Sequence, residues 1–155
     1  IITHAEDRSI VGKGCMHAGY WSARLGLSGM PRAAEDAAVF RDIELARQAD
    51  SHLHVAHVST KGAVEIIRRA KADGVRVTAE ATPHHFSLEH GRCRDYSPLV
   101  KMNPPLREPD DVAAVADGLA DGTIDCIATD HAPHTATEQA LQFDQEAELG
   151  GRPRA

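Results

Sequence analysis

Three residues in this sequence have the side chains that a hydrolytic metal centre needs: His4, His57 and Asp130. Neutral imidazole nitrogens and a carboxylate oxygen are the ligand set that catalytic zinc sites use, with one position left for water. Asp130 has a second candidate role as general acid/base, because a carboxylate beside metal-bound water can take its proton as the hydroxide attacks a carbonyl. A lone histidine at a strand end is most often a hydrogen-bonded structural residue, so only the set carries weight.

The remaining polar residues are weaker candidates. His52-Leu53-His54 forms an HxH pair, but it begins an apolar segment that His57 ends. Side-chain alternation puts His57 on the face of Leu53 and Val55, opposite His52 and His54, which read as packing or surface residues. His84 and His85 follow a Thr82-Pro83 turn, where they could orient a ligand or simply hold the turn. His17 and His90 fall in loops and receive no role. Two prolines stiffen the backbone after Asn103, which could hold its amide against a polar ligand or form a stiff turn without one. Arg107 is expected to pair with Asp110 and Asp111 at the next helix start, ahead of any contact with substrate.

Elements of two periods must position these groups. Ala63, Ile66, Ile67 and Ala70 repeat at helical spacing across 61–73, between a Ser59-Thr60 cap and Gly74. Val112, Val115, Ala116 and Leu119 do the same between Pro109 and Gly122, and 33–48 forms a third helix entered through Pro31. Apolar segments of strand length lie at 1–3, 53–58, 75–81 and 124–129. Strand alternating with helix predicts a parallel α/β sheet, whose active groups gather at the C-terminal strand ends. His4, His57, the Thr82-to-His85 turn and Asp130 all follow strands, a distribution that favours a (β/α)8 TIM-type barrel over an open sheet. A whole barrel takes about 250 residues, and only about four βα units are legible here. The connections 5–32 and 85–108 exceed the usual length and are expected to carry function.

Composition narrows the classes. The chain has 155 residues, net charge −6, 42% hydrophobic and 26% charged residues, which fits a folded globular protein and gives no basic footprint for nucleic acid. No segment has the apolar length of a membrane span, and a cytoplasmic location is expected. Cys15, Cys93 and Cys126 are odd in number and form no CxxC, against both a disulfide framework and a thiolate zinc site.

Five segments in order, Thr3-His4-Ala5-Glu6-Asp7, His54-Val55-Ala56-His57-Val58-Ser59-Thr60-Lys61, Thr82-Pro83-His84-His85, Lys101 to Arg107 and Ala128-Thr129-Asp130-His131-Ala132-Pro133-His134, resemble dihydroorotase of the bacterial class I type, in the amidohydrolase superfamily. The likeness runs from residue 1 to about 144, leaving 145–155 as a divergent tail. It implies strands 5 to 8 of a zinc-dependent barrel that interconverts dihydroorotate and N-carbamoyl-L-aspartate in pyrimidine synthesis, at a site of two zinc ions. His4 and His57 match ligands of one zinc, Asp130 matches a ligand of the other and the general acid/base, and Asn103 and His134 match substrate-contacting positions. The family's HxH pair, its neighbouring arginine, a substrate asparagine and a bridging carboxylate would all precede Ile1, so the chain alone is expected to be inactive.

The implied partners are a small-molecule substrate and, in some relatives, a second copy or aspartate transcarbamoylase; neither nucleic acid nor membrane is implied. A rival within the superfamily is another cyclic-amide hydrolase of allantoinase or dihydropyrimidinase type, against which Asn103 and His134 argue. A rival of another class is a non-catalytic dihydroorotase-like scaffold, although such chains typically lose metal ligands. A half-barrel also leaves apolar sheet edges uncovered, which predicts dimerisation or poor solubility.

Overall fold

The computed structural model describes residues 1–132. In chain order the elements are β1 (Ile2–His4), α1 (Arg8–Val11), β2 (Met16–His17), α2 (Tyr20–Leu25), β3 (Gly29–Met30), α3 (Arg32–Gln48), β4 (Leu53–Ala56), α4 (Lys61–Ala72), β5 (Val77–Ala81), α5 (Pro109–Asp121) and β6 (Cys126–Ile127), with 3-10 turns at His90–Asp95 and Pro98–Val100. Strands β1, β4, β5 and β6 form one parallel sheet in that order, in register through Ile2 with His54, Leu53 with Val77 and Glu80 with Cys126. Each crossover carries a helix, as parallel neighbours require.

The three predicted helices are present, and local chemistry explains their ends. Thr60 caps α4 by accepting from the Ala63 N–H at 3.1 Å, Pro109 opens α5, and Gly122 closes it in the left-handed conformation. Helices α3, α4 and α5 pack one face of the sheet, where Val39, Ile43, Val55, Ile67, Val115 and Ile124 form a core at most 2% exposed. Burying one such side chain stabilises the fold by about 1.5–3 kcal/mol. At Gly118 any β-carbon would meet Val64 at 3.1 Å, so α4 and α5 approach closely there.

Among the described residues no helix covers the opposite sheet face. Burial alternates along β4 and β5, leaving His54, Thr78 and Glu80 half-buried on that face, with Ile2 largely exposed at its edge.

Two expectations need adjusting. Strands β4, β5 and β6 are shorter than 53–58, 75–81 and 124–129, yet Val58 N–H still donates to Glu80 O and Ala128 N–H to Ala81 O. Pairing thus continues where regular strand geometry has stopped. The 5–32 connection is no plain loop: it holds α1, α2 and the parallel pair β2–β3, elements too short to show a period.

Candidate active site

The C-terminal ends of the sheet bring the sequence-predicted residues to one rim. His4 ends β1, while His57 and Asp130 follow β4 and β6 with φ of 54° and 48°. Left-handed backbone is uncommon for a side chain other than glycine. His57 Nε2 lies 3.5 Å from Asp130 Oδ1, and the His4 and His57 rings meet edge-on with centroids 5.7 Å apart. An imidazole nitrogen and a carboxylate oxygen standing this close are donors of the kind that adjoining zinc ions take. His4 Nε2 instead contacts the backbone oxygen of Asn103 at 3.4 Å, so that loop reaches the rim through its main chain, with the Asn103 side chain exposed. His4, His57 and Asp130 do not close into one tight cluster of three donors.

The alternation argument for His57 fails. Its positive φ ends strand geometry, and the ring turns to the face of His54, with Nδ1 at 2.9 Å from Glu80 Oε1. His52 and His54 are also more than packing residues: His52 Nε2 and His54 Nδ1 both meet Thr78 Oγ1, at 3.1 and 2.9 Å, and His54 Nε2 meets Glu80 Oε2 at 3.1 Å. Period-2 reasoning holds only while the backbone stays extended.

Arg107 corrects a second expectation. It does not pair with Asp110 or Asp111; it lies buried, donating to Ser59 Oγ, Met30 O and Glu35 Oε2 at 3.0, 3.0 and 3.2 Å. Glu35 also accepts from the Ser59 and Thr60 backbone N–H groups at 2.7 and 3.1 Å and from the Ser59 hydroxyl. This network ties α3 to the segment right after His57 and to the loop that carries Asn103. The acidic start of α5 is met by Arg32, which reaches Glu108, Asp110 and Asp111. Glu35 went unrecognised, although a glutamate beside Ala34, Ala38 and Val39 on the buried stripe of α3 was a readable signal.

His85 supports the same loop. Its ring sits between Thr82 Oγ1 at 2.8 Å and Pro104 O at 2.9 Å, and burial drives its pKa down to about 3. Burial lowers His84 too, partly opposed by the Asp130 charge. His17 and His90 form a buried edge-on pair, centroids 5.2 Å apart, with Glu108 close by. Arg107, which can only donate, faces His17 Nδ1 at 3.3 Å, so the His17 proton belongs on Nε2 and that nitrogen is a poor metal donor. His134 and the 145–155 tail lie outside the described residues.

The chain is similar to known proteins over nearly its whole length. A family model described as "Dihydro-orotase-like" matches residues 1–63. The dihydroorotase of Pelobacter propionicus is 57% identical over 147 residues, covering 95% of this chain and 35% of that protein. That of Geobacter metallireducens is 59% identical over 145 residues, covering 94% and 34%. This chain thus spans about a third of the length of the curated relatives it matches. Among solved structures, an L-hydantoinase (dihydropyrimidinase) from Arthrobacter aurescens superposes with TM-score 0.75 at 27% identity, covering 90% of this chain and 32% of that one. A D-hydantoinase (dihydropyrimidinase) from a Thermus species gives 0.74 at 25%, covering 96% and 33%.

Proposed function

This chain belongs among the dihydroorotase-like proteins, and from that premise we propose that it supplies part of the active rim of a zinc-dependent dihydroorotase, which opens dihydroorotate to N-carbamoyl-L-aspartate and closes it again. The observation that carries this reading is the meeting of His4, His57 and Asp130 at the C-terminal ends of β1, β4 and β6 in one parallel sheet, with His57 Nε2 3.5 Å from Asp130 Oδ1. His4 and His57 would hold one zinc ion and Asp130 a second. Bound zinc would polarise the ring carbonyl and activate water.

The chain's own residues then have distinct tasks. Asp130, partly exposed beside His57, is placed to take the proton of the attacking water and return it to the leaving ring nitrogen. The Asn103 loop, held from behind by His85 and the Arg107–Glu35 pair, would present the substrate-contacting amide. His134 is proposed as a further substrate contact.

A hydantoinase or dihydropyrimidinase reading draws on the superposed structures, but those are 25–27% identical, against 57–59% for the dihydroorotases. The test is a chimera in which residues 1–132 of this chain replace the matching segment of the Pelobacter propionicus dihydroorotase. Zinc-dependent ring opening of dihydroorotate is the expected result. A folded chimera that prefers dihydrouracil or hydantoin, or opens none of them, rejects the proposal.

A further inference from the structure

We infer that Glu80 is a positioning residue that decides which nitrogen of His57 carries the proton, and that His54 and Thr78 hold Glu80 to that task. The four side chains lie on the sheet face opposite the helices, on β4, on β5 and just beyond β4. One Glu80 oxygen lies 3.1 Å from His54 Nε2 and the other 2.9 Å from His57 Nδ1. A carboxylate offers acceptors only, so His54 Nε2, hydrogen-bonded to it, bears hydrogen, and its charge favours hydrogen on His57 Nδ1 as well.

The assignment then runs consistently through the cluster. With its proton on Nε2, His54 has a lone pair on Nδ1, which accepts from the Thr78 hydroxyl at 2.9 Å. That hydroxyl oxygen accepts in turn from His52 Nε2–H at 3.1 Å. Every donor from His52 to Glu80 meets an acceptor, the Thr78 hydroxyl donating to one ring and accepting from the other.

At the His57 end, the Nδ1–H direction is out of line with Glu80, so the contact acts through charge and proximity. Without its hydrogen, Nδ1 would hold partial negative charge 2.9 Å from a carboxylate, whereas Asp130 stands farther from Nε2, at 3.5 Å. The proton therefore belongs on Nδ1, and Nε2 turns its lone pair toward Asp130. A lone pair turned to the rim is what a metal-binding histidine needs, and fixing the tautomer of such a histidine is a recurrent task of carboxylates behind it. The consequence for metal rests on the proposed function; the tautomer assignment does not.

The test is nitrogen-15 NMR of the full chain without metal, at a pH where imidazole is neutral, with the His57 signals assigned by their loss in His57→Gln. Wild-type His57 is expected to carry its proton on Nδ1, and Glu80→Gln, whose amide can donate, to move it wholly or partly to Nε2; Glu80→Asp should restore the wild-type state in part. Zinc affinity, read by competition with a chromophoric chelator, is expected to fall about 10–100-fold in Glu80→Gln. An Nε2–H tautomer in the wild type overturns the inference without need of any folded Glu80 variant, as does a tautomer unchanged in Glu80→Gln. An Nδ1–H tautomer that responds to Glu80, in a chain that binds no zinc, would uphold the inference and defeat the metal reading.

Discussion

Arg107 Nη2 lies 3.2 Å from Glu35 Oε2, and neither side chain is more than 5% exposed. The two residues are 72 positions apart in sequence, and their contact fixes α3 against the loop that carries Asn103. A buried pair of this kind is costly to break from one side, because the survivor keeps its charge without a partner.

Glu35→Ala should therefore destabilise the fold by about 3–5 kcal/mol in urea unfolding. The double variant Glu35→Leu with Arg107→Met should recover much of that loss. Equal stability of Glu35→Ala and wild type would show that solvent already reaches the pair.

Acid should weaken the fold before most carboxylates titrate. Burial, then the Arg107 charge, pushes the His17 pKa from its ordinary 6.5 down to about 4, and burial takes His85 to about 3. Between the folded and unfolded values the unfolded chain holds more protons, so stability rises with pH. The loss begins as pH falls through about 6.5 and, for His17, is complete below about 4, amounting to roughly 3 kcal/mol. Urea midpoints across this range should fall on acidification, and His17→Asn should flatten the trend. A flat wild-type profile would contradict it.

Asp130→Asn in the chimera should lower the rate of dihydroorotate opening about 10²–10⁴-fold with the melting temperature little changed, since Asp130 is exposed. Steady-state kinetics beside a thermal melt separates the two effects. Retained turnover would remove Asp130 from the proposed proton transfer.

Gly29→Ala should disrupt the β2–β3 pair. A β-carbon at Gly29 would collide with the Cα of Ala18, a backbone atom that cannot swing aside. The expected cost is about 1–3 kcal/mol, with amide exchange at Met16 and His17 accelerating first. Unchanged protection there would mean that the neighbouring backbone yields.

Ile2 is 76% exposed on the edge strand β1 and Ile127 is 58% exposed at the other edge of the sheet. Unpaired strand edges with apolar neighbours favour association. The isolated chain should elute as a dimer or larger species in size-exclusion chromatography with light scattering, and Ile2→Lys should shift it toward monomer. A concentration-independent wild-type monomer would refute this. Among the described residues no helix is long and apolar enough to cross a membrane.

The sequence by itself determined the alternation of strand and helix, because helical spacing in 61–73 and the short apolar segments are local patterns that packing only had to accept. It also determined which strand ends carry His4, His57 and Asp130, since a strand's end is marked where its apolar run stops. Tertiary structure alone decided the direction of His57, because one left-handed residue cancels the two-residue period. It alone decided the partner of Arg107 as well, because a charge chooses among acceptors by distance in space and by loss of water. Glu35, distant in sequence, is buried beside it, while the nearer Asp110 and Asp111 are taken by Arg32. The Glu80 cluster was hidden for the same reason: its members come from β4, β5 and the turn beyond β4, and only parallel pairing in one particular register lays them side by side.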